Sequence, residues 1–208
     1  MADTRYQGVL LFGAPGVGKG TQGRILGQIP GFFHLSCGEV FRSLDISSPD
    51  GEMVYKYSSQ GKLVPDDITI RIWNQHLEGL RQMGNFKPRE DLLVLDGIPR
   101  NVRQAEILND HVVVMKVIHL VCPDKEAMIH RIRRRAIREN RADDAQEDII
   151  RRRFDIYEHE TRPVLEFYAH ELHADVNCIG APAEVLLKVL EILVPVQNKL
   201  FRDKKIPN

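Results

Sequence analysis

The chain has 208 residues, 43% hydrophobic and 28% charged, with 29 basic and 29 acidic side chains and so no net charge. That size suits one compact domain with a sizeable core, and the charge balance supplies no global field for nucleic acid or a membrane surface. Cys37, Cys122 and Cys178 are far apart and have no C-x-x-C spacing, which argues against a disulfide framework or a zinc site and for a reducing, cytoplasmic setting. The polar start, Met1–Gln7, carries no secretion signal, and no apolar run approaches a membrane span.

In chain order, residues 8–12 predict a strand buried on both faces and 19–29 a helix stopped by Pro30 and Gly31. Phe33–Ser36 is a second short apolar segment, and Gly38–Leu44 is helical in pattern. Asp45–Gly51 predicts a polar loop with Ser47-Ser48-Pro49-Asp50-Gly51 as its turn. Glu52–Gly61 predicts a short helix, and Asp66 or Asp67 caps a longer one through Leu77. Leu92–Asp96 is a continuous apolar strand ending in an acid, and Val102–Leu108 a helix. Val112–Val114 and Val117–Val121 form the next strand region. Asp124 caps a helix to about Arg135, followed by a polar linker, Ala136–Arg141. A charged helix runs from about Ala145 to Tyr157, and Pro163 opens another through Leu172. Asp175–Ile179 predicts the last strand, and Pro182–Leu193 the last long helix, ended near Pro195 and followed by a loose charged tail, Lys199–Asn208. Alternating strands and helices imply an α/β fold with a parallel sheet covered on both faces. Two excursions from that alternation, roughly Ser36–Val64 and Ala136–Arg141, leave from the carboxyl edge of the sheet, where ligands bind in such folds, and so predict mobile lids.

The first strand runs into Gly13-Ala14-Pro15-Gly16-Val17-Gly18-Lys19-Gly20-Thr21. Strand, glycine-rich turn and helix together make a phosphate site: backbone N–H groups turn inward and the helix start adds its own unpaired donors. Lys19 supplies a point charge for the outer phosphates and Thr21 a hydroxyl for a magnesium ion. Gly20 stands where the pattern G-x-x-x-x-G-K-[ST] has Ser or Thr, so the hydroxyl comes one position later. Asp96 ends a buried strand, the position of a magnesium-side acid, although a turn role would also place an Asp before Gly97. Arg131, Arg133, Arg134, Arg135, Arg138, Arg141, Arg151, Arg152 and Arg153 crowd one stretch. A solvated, salt-bridged helix would use Arg133, Arg134 and Arg152. The remainder suit the spread charge of a phosphoryl group in transfer.

The segments GAPGVGKGTQ, SCGEVFR at 36–42, GKLVPDD at 61–67, LDGIPRNVRQAE at 95–106 and RADD at 141–144 resemble adenylate kinases of the short-lid type, over nearly the whole chain to about residue 193. The resemblance implies a P-loop NTPase-type sheet with an acceptor lobe at 36–65 and a short lid at 131–142. It implies reversible transfer of a phosphoryl group from Mg·ATP to AMP, without zinc, in a monomer that has neither nucleic acid nor membrane as partner. It places the donor on Gly13, Ala14, Pro15, Gly16, Val17, Gly18, Lys19, Gly20 and Thr21, with its adenine near Arg131, Gly180, Ala181 and Pro182. It places the AMP phosphate on Arg42 and Arg100, and the AMP base and sugar among Ser36, Cys37, Lys62, Leu63, Val64, Gly97 and Gln104. It implies that Lys19, Arg100, Arg135, Arg141 and Arg153 converge on the transferred group, and that Thr21 and Asp96, with Glu39, order magnesium and its water. Cys37 replaces the family's usual Thr, which leaves UMP, CMP or dAMP as alternative acceptors, and Ile98 replaces its usual aromatic, which loosens the acceptor packing that the resemblance implies. A nucleotide sensor without catalysis is a rival of another class. It should have lost Lys19, Arg100 or a lid arginine, and all are present. His34, His119 and Trp73 read as structural.

Overall fold

The computed structural model describes residues 5–139 and 146–203. Among these, strands β1 (Tyr6–Phe12), β2 (Phe32–Ser36), β3 (Leu92–Asp96), β4 (Val112–Val121) and β5 (His173–Asn177) form one sheet in the order β2-β3-β1-β4-β5. Every pairing is parallel. Parallel neighbours need crossovers, and the helices that supply them cover both faces. Alternation along β1 shows this directly: Val9 and Leu11 pack into one cluster, Leu10 and Phe12 into the other. The first cluster holds residues of α1 (Lys19–Leu26), α6 (Lys125–Glu139), α7 (Glu147–Ile156) and α9 (Pro182–Asp203). The second holds residues of α2 (Cys37–Ser43), α3 (Pro49–Ser58), α4 (Asp66–Gln82), α5 (Val102–Leu108) and α8 (Val164–Phe167).

Several boundaries differ from expectation, each for a local reason. The Ser-Pro-Asp-Gly turn is the start of α3: the Ser48 hydroxyl accepts from Gly51 N–H at 3.1 Å, and Pro49 sits where no donor is missed. Neither Asp66 nor Asp67 caps α4. Pro65 holds that position, and the Asp66 carboxylate accepts from Asn101 and Gln104 instead. The predicted linker from Ala136 is helical to Glu139, since no Gly or Pro interrupts α6 there; the rest of it, with Arg141, lies outside the described residues. Residues 157–161 widen into a π-helical turn, and the helix predicted from Pro163 to Leu172 divides at Tyr168, whose backbone is extended. β5 begins at His173 and ends at Asn177, two residues earlier at each end than predicted, because it follows its register with β4. α9 runs through Pro195 to Asp203. Leu200 is buried and the Gln197 amide donates to the Pro30 carbonyl at 3.0 Å, so tertiary contacts carry the helix past the proline and through the first part of the predicted tail.

Candidate active site

The turn after β1 is held down by close approach. A Cβ on Gly13 would lie 2.4 Å from the Leu120 carbonyl oxygen, and one on Gly16 would lie 2.7 Å from that of Met128; both have positive φ, 139° and 79°. Only glycine meets both demands. Lys19 opens α1 and folds back over this turn, donating to the carbonyls of Gly13 at 2.6 Å and Ala14 at 3.1 Å. Burial pushes its ammonium pKa down to about 8; Asp96 opposes the shift, while Arg100, Arg153 and Arg135 add to it. Three guanidinium groups on three separate segments therefore act on one buried lysine with one carboxylate against them. Such a field is complementary to a polyphosphate.

These groups line a cleft of about 490 Å³ at the carboxyl edge of the sheet. Of the predicted donor residues, Gly13, Pro15, Gly16, Val17, Gly18, Lys19, Gly20, Thr21, Arg131, Gly180 and Pro182 line it; Ala14 and Ala181 do not. Of the predicted acceptor residues, Ser36, Arg42, Leu63, Gly97 and Arg100 line it, whereas Cys37, Lys62, Val64 and Gln104 do not. Cys37 is buried behind the wall, and that burial pushes its thiol up to about 11. Gln104 braces Arg100 from below: its side-chain oxygen accepts from Arg100 N–H at 2.8 Å while its amide donates to Asp66 at 2.8 Å. Arg100 is held further by its Nε–H donating to the Gly97 carbonyl at 2.9 Å and by its own carbonyl accepting from Thr161 at 2.8 Å.

Arg135 and Arg153 also line the cleft; Arg141 lies outside the described residues. The arginine run divides otherwise than its spacing suggests. Arg133 and Arg151 pair with Glu147 on the outside, Arg152 donates to the Gln60 carbonyl at 2.8 Å, and Arg134 and Arg138 join the cleft wall. The sequence reading also missed Gln22, which donates to the Pro182 carbonyl at 3.0 Å, and Arg24, which pairs with Glu39 at 3.2 Å across the cleft mouth. Periodicity could have found Gln22, which lies three residues after Lys19 on the same face of α1. Tyr157, Thr161 and Cys178 were missed as well; nothing local marks them.

Asp96 is buried at the end of β3, and its Oδ2 lies 3.5 Å from where a Cβ on Gly20 would be, directly over the start of α1. The His34 ring stands 4.0 Å behind it, against Gly23 of α1. A carboxylate and the Thr21 hydroxyl at one edge of a phosphate turn are hard oxygen donors, which fit magnesium. Among the described residues no group of three or more His, Cys, Asp or Glu side chains is placed to hold a metal ion by itself.

A family model described as adenylate kinase matches residues 11–173. This chain belongs to the adenylate kinase family. It is 33% identical over 189 residues to the adenylate kinase of Thermus thermophilus, covering 88% of this chain and 95% of that one. To the adenylate kinase of Thermobifida fusca it is 33% identical over 191 residues, covering 89% and 97%. To that of a Cyanothece species it is 34% identical over 169 residues, covering 78% and 82%. The family accounts for the parallel sheet and for a phosphate turn at its carboxyl edge. No helix among the described residues is long and apolar enough to cross a membrane.

Proposed function

We propose that this chain divides the work of its family among the cleft residues as follows. The reaction is the reversible transfer of a phosphoryl group from Mg·ATP to AMP, giving two ADP. The backbone of Gly13–Thr21 and the Lys19 ammonium hold the donor phosphates, with the donor adenine between Arg131 and the Gly180–Pro182 turn. Arg42 and Arg100 hold the acceptor phosphate, with Gly97, Ser36 and Leu63 beside its nucleoside. Cys37, Lys62, Val64 and Gln104 stand behind that wall and shape it. Thr21 and Asp96 would hold magnesium through its water, and the ion would supply charge neutralisation on the donor phosphates. Arg135, Arg153 and Arg141 bear on the group in flight.

No side chain needs to act as nucleophile. An AMP phosphate oxygen attacks the terminal phosphorus of ATP in line, the bond to the bridging oxygen breaks, and ADP leaves. The chain contributes alignment and fixed positive charge in a site from which water is excluded. The acceptor lobe, 36–65, and the lid, 131–142, close over the pair to keep water out. A monomer in the cytoplasm, with no membrane or nucleic acid partner, completes this reading. The observation that carries it is that Lys19, Arg100, Arg135 and Arg153 line one cleft, where the three guanidinium groups act on the lysine. The relatives named above are adenylate kinases, which disfavours UMP, CMP or dAMP as acceptor and a silent sensor alike.

Product analysis with Mg·ATP and each of AMP, dAMP, CMP, UMP and GMP tests this. Two ADP per AMP consumed, with little from the others, is the expected result; preferential consumption of CMP or UMP would overturn the acceptor. Arg100→Ala should lower kcat/KM for AMP by roughly 3 kcal/mol of transition-state stabilisation. Unchanged kinetics would remove Arg100 from the site.

A further inference from the structure

Two of the three cysteines meet where the site is anchored to the sheet. β4 and β5 are parallel and in register from Val117 opposite His173 to Val121 opposite Asn177. The pairing continues one step further, because Cys178 N–H donates to the Val121 carbonyl at 2.9 Å. Cys122 and Cys178 are therefore the next opposed pair. Residues opposite one another on parallel strands project to the same face, so both thiols follow Leu120 and Val176, the opposed pair two positions before. All four residues indeed belong to the same apolar cluster, Cys122 at its edge. Neighbouring strands are about 4.8 Å apart, within the Cα separations of roughly 4.4–6.8 Å that a disulfide spans. Both thiols are free, and each makes only a weak hydrogen bond, Cys178 to the Val176 carbonyl at 3.4 Å and Cys122 to that of Asp124 at 3.7 Å. Cys37 belongs to the cluster on the opposite face of the sheet and cannot compete.

We propose that Cys122 and Cys178 form a reversible disulfide that clasps the donor side of the cleft and weakens donor binding. The effect on binding rests on the adenylate kinase reading above; the bond itself does not. Cys178 lines the cleft, while Cys122 begins the segment that leads through Asp124 into α6 with Arg131 and Arg135. Two residues beyond Cys178 comes Gly180, also on the cleft wall. The clasp thus fixes two donor-side walls against each other and encloses α6 and α7 in one covalent loop. Cys122 is the more exposed thiol. As thiolate it attacks a small disulfide of the glutathione type, whose S–S bond breaks and releases one thiolate. Cys178 then gives its proton to solvent, attacks the Cys122 sulfur and expels the second thiolate. Two protein thiols are oxidised and one small disulfide is reduced to two thiols. Burial pushes the Cys178 thiol up to about 11, so the second step quickens as pH rises from 7 to 9.

The test is to expose the full chain to glutathione disulfide at pH 8.5, block residual thiols in acid and map digested peptides by mass without reductant. A peptide pair joined through Cys122 and Cys178, with Cys37 blocked as a free thiol, is the expected result. With it, the KM for ATP rises by about tenfold, the KM for AMP changes less than about twofold, and dithiothreitol restores both. Cys122→Ser should keep the reduced chain's kinetics and lose both the cross-link and the oxidant response. Recovery of Cys122 and Cys178 as free thiols or as two separate mixed disulfides overturns the bond. The joined peptides with an unchanged ATP KM overturn its control of donor binding. A reduced chain that transfers nothing to AMP overturns the reaction instead, and the peptide map still decides the bond.

Discussion

At the scale of single residues the site turns on Lys19. It sits in a field made by Arg100, Arg135 and Arg153 and donates to the carbonyls of Gly13 and Ala14. Lys19→Met should lower kcat by roughly a thousandfold, the scale of losing one fixed charge at a transferring phosphoryl group, with the circular dichroism spectrum and melting midpoint kept. Retained turnover would contradict the phosphate assignment. The depressed pKa has two consequences with definite sign. Its native value of about 8 lies below the ordinary 10.5, so between these limits the unfolded chain binds more protons and this group's contribution to stability rises with pH. Below pH 8 the charge is carried in both states and the burial penalty is felt in full. Donor phosphates seated on Lys19, as proposed above, would reverse the shift. At pH 8, where they are already ionised, ATP binding should therefore take up a fraction of a proton, read as a dependence of calorimetric enthalpy on the buffer's ionisation enthalpy. Equal enthalpies across buffers would show that Lys19 is fully charged beforehand. Lys19, Asp96 and Arg100 were legible in the sequence because each is tied to the end of an apolar strand or to the turn that follows. The bracing role of Gln104 was not, since Asp66 lies 38 positions away and only the fold brings the two together.

At the scale of elements, legibility followed the period of the apolar pattern. Buried strands such as Leu92–Asp96 and the short helix Val102–Leu108 match the reading residue for residue, because burial on both faces or a clear cap leaves no alternative. Helix ends were read less well wherever proline was involved. Ser48-Pro49 has the chemistry of a turn and of a helix start alike, and the choice was made by the Gly51 N–H reaching the Ser48 hydroxyl. Ser48→Ala should cost about 1 kcal/mol, seen as a lower urea midpoint; an unchanged midpoint would mean that α3 does not need its cap. Pro195 misled in the opposite direction. It lies inside α9, where it removes a donor and crowds the preceding turn, yet Leu200 and Gln197 anchor the helix beyond it. Pro195→Ala should accordingly stabilise the chain by about 1–3 kcal/mol. A loss of stability would show that the proline sets a bend on which the contact with Pro30 depends.

At the scale of the molecule, the sheet anchors the phosphate turn, and the segments proposed to close over it leave from one edge. That edge follows from topology: parallel strands put all their carboxyl ends together, so turns from β1, β2, β3 and the segment after β5 meet over one cleft although they are remote in sequence. The proposed acceptor lobe already touches α7. Arg152 of α7 donates to the Gln60 carbonyl, and a Cβ on Gly61 would meet Ile149 at 3.0 Å. On the proposed reading, closure on the acceptor side would tighten this existing contact between 36–65 and α7, whereas the donor side would close through α6. On the same reading the two motions would answer to different nucleotides, since of the cleft-lining residues Arg42 and Leu63 are given to the acceptor and Arg131 and Arg135 to the donor. Amide hydrogen exchange can separate them. AMP alone should slow exchange in 37–61 and in α7, ATP alone in 13–21 and 125–139, and a bisubstrate analogue with two adenosines joined through a polyphosphate should slow all of these together. β1 and β3 are buried at the centre of the sheet and should exchange only with global unfolding, so their rates should change by no more than binding stabilises the whole chain. If AMP alone protected 125–139 as strongly as ATP does, the two sides would move as one body. The contact of Arg152 with Gln60 would then be the place to find the coupling, because Arg152→Ala should restore independent protection without touching either phosphate site.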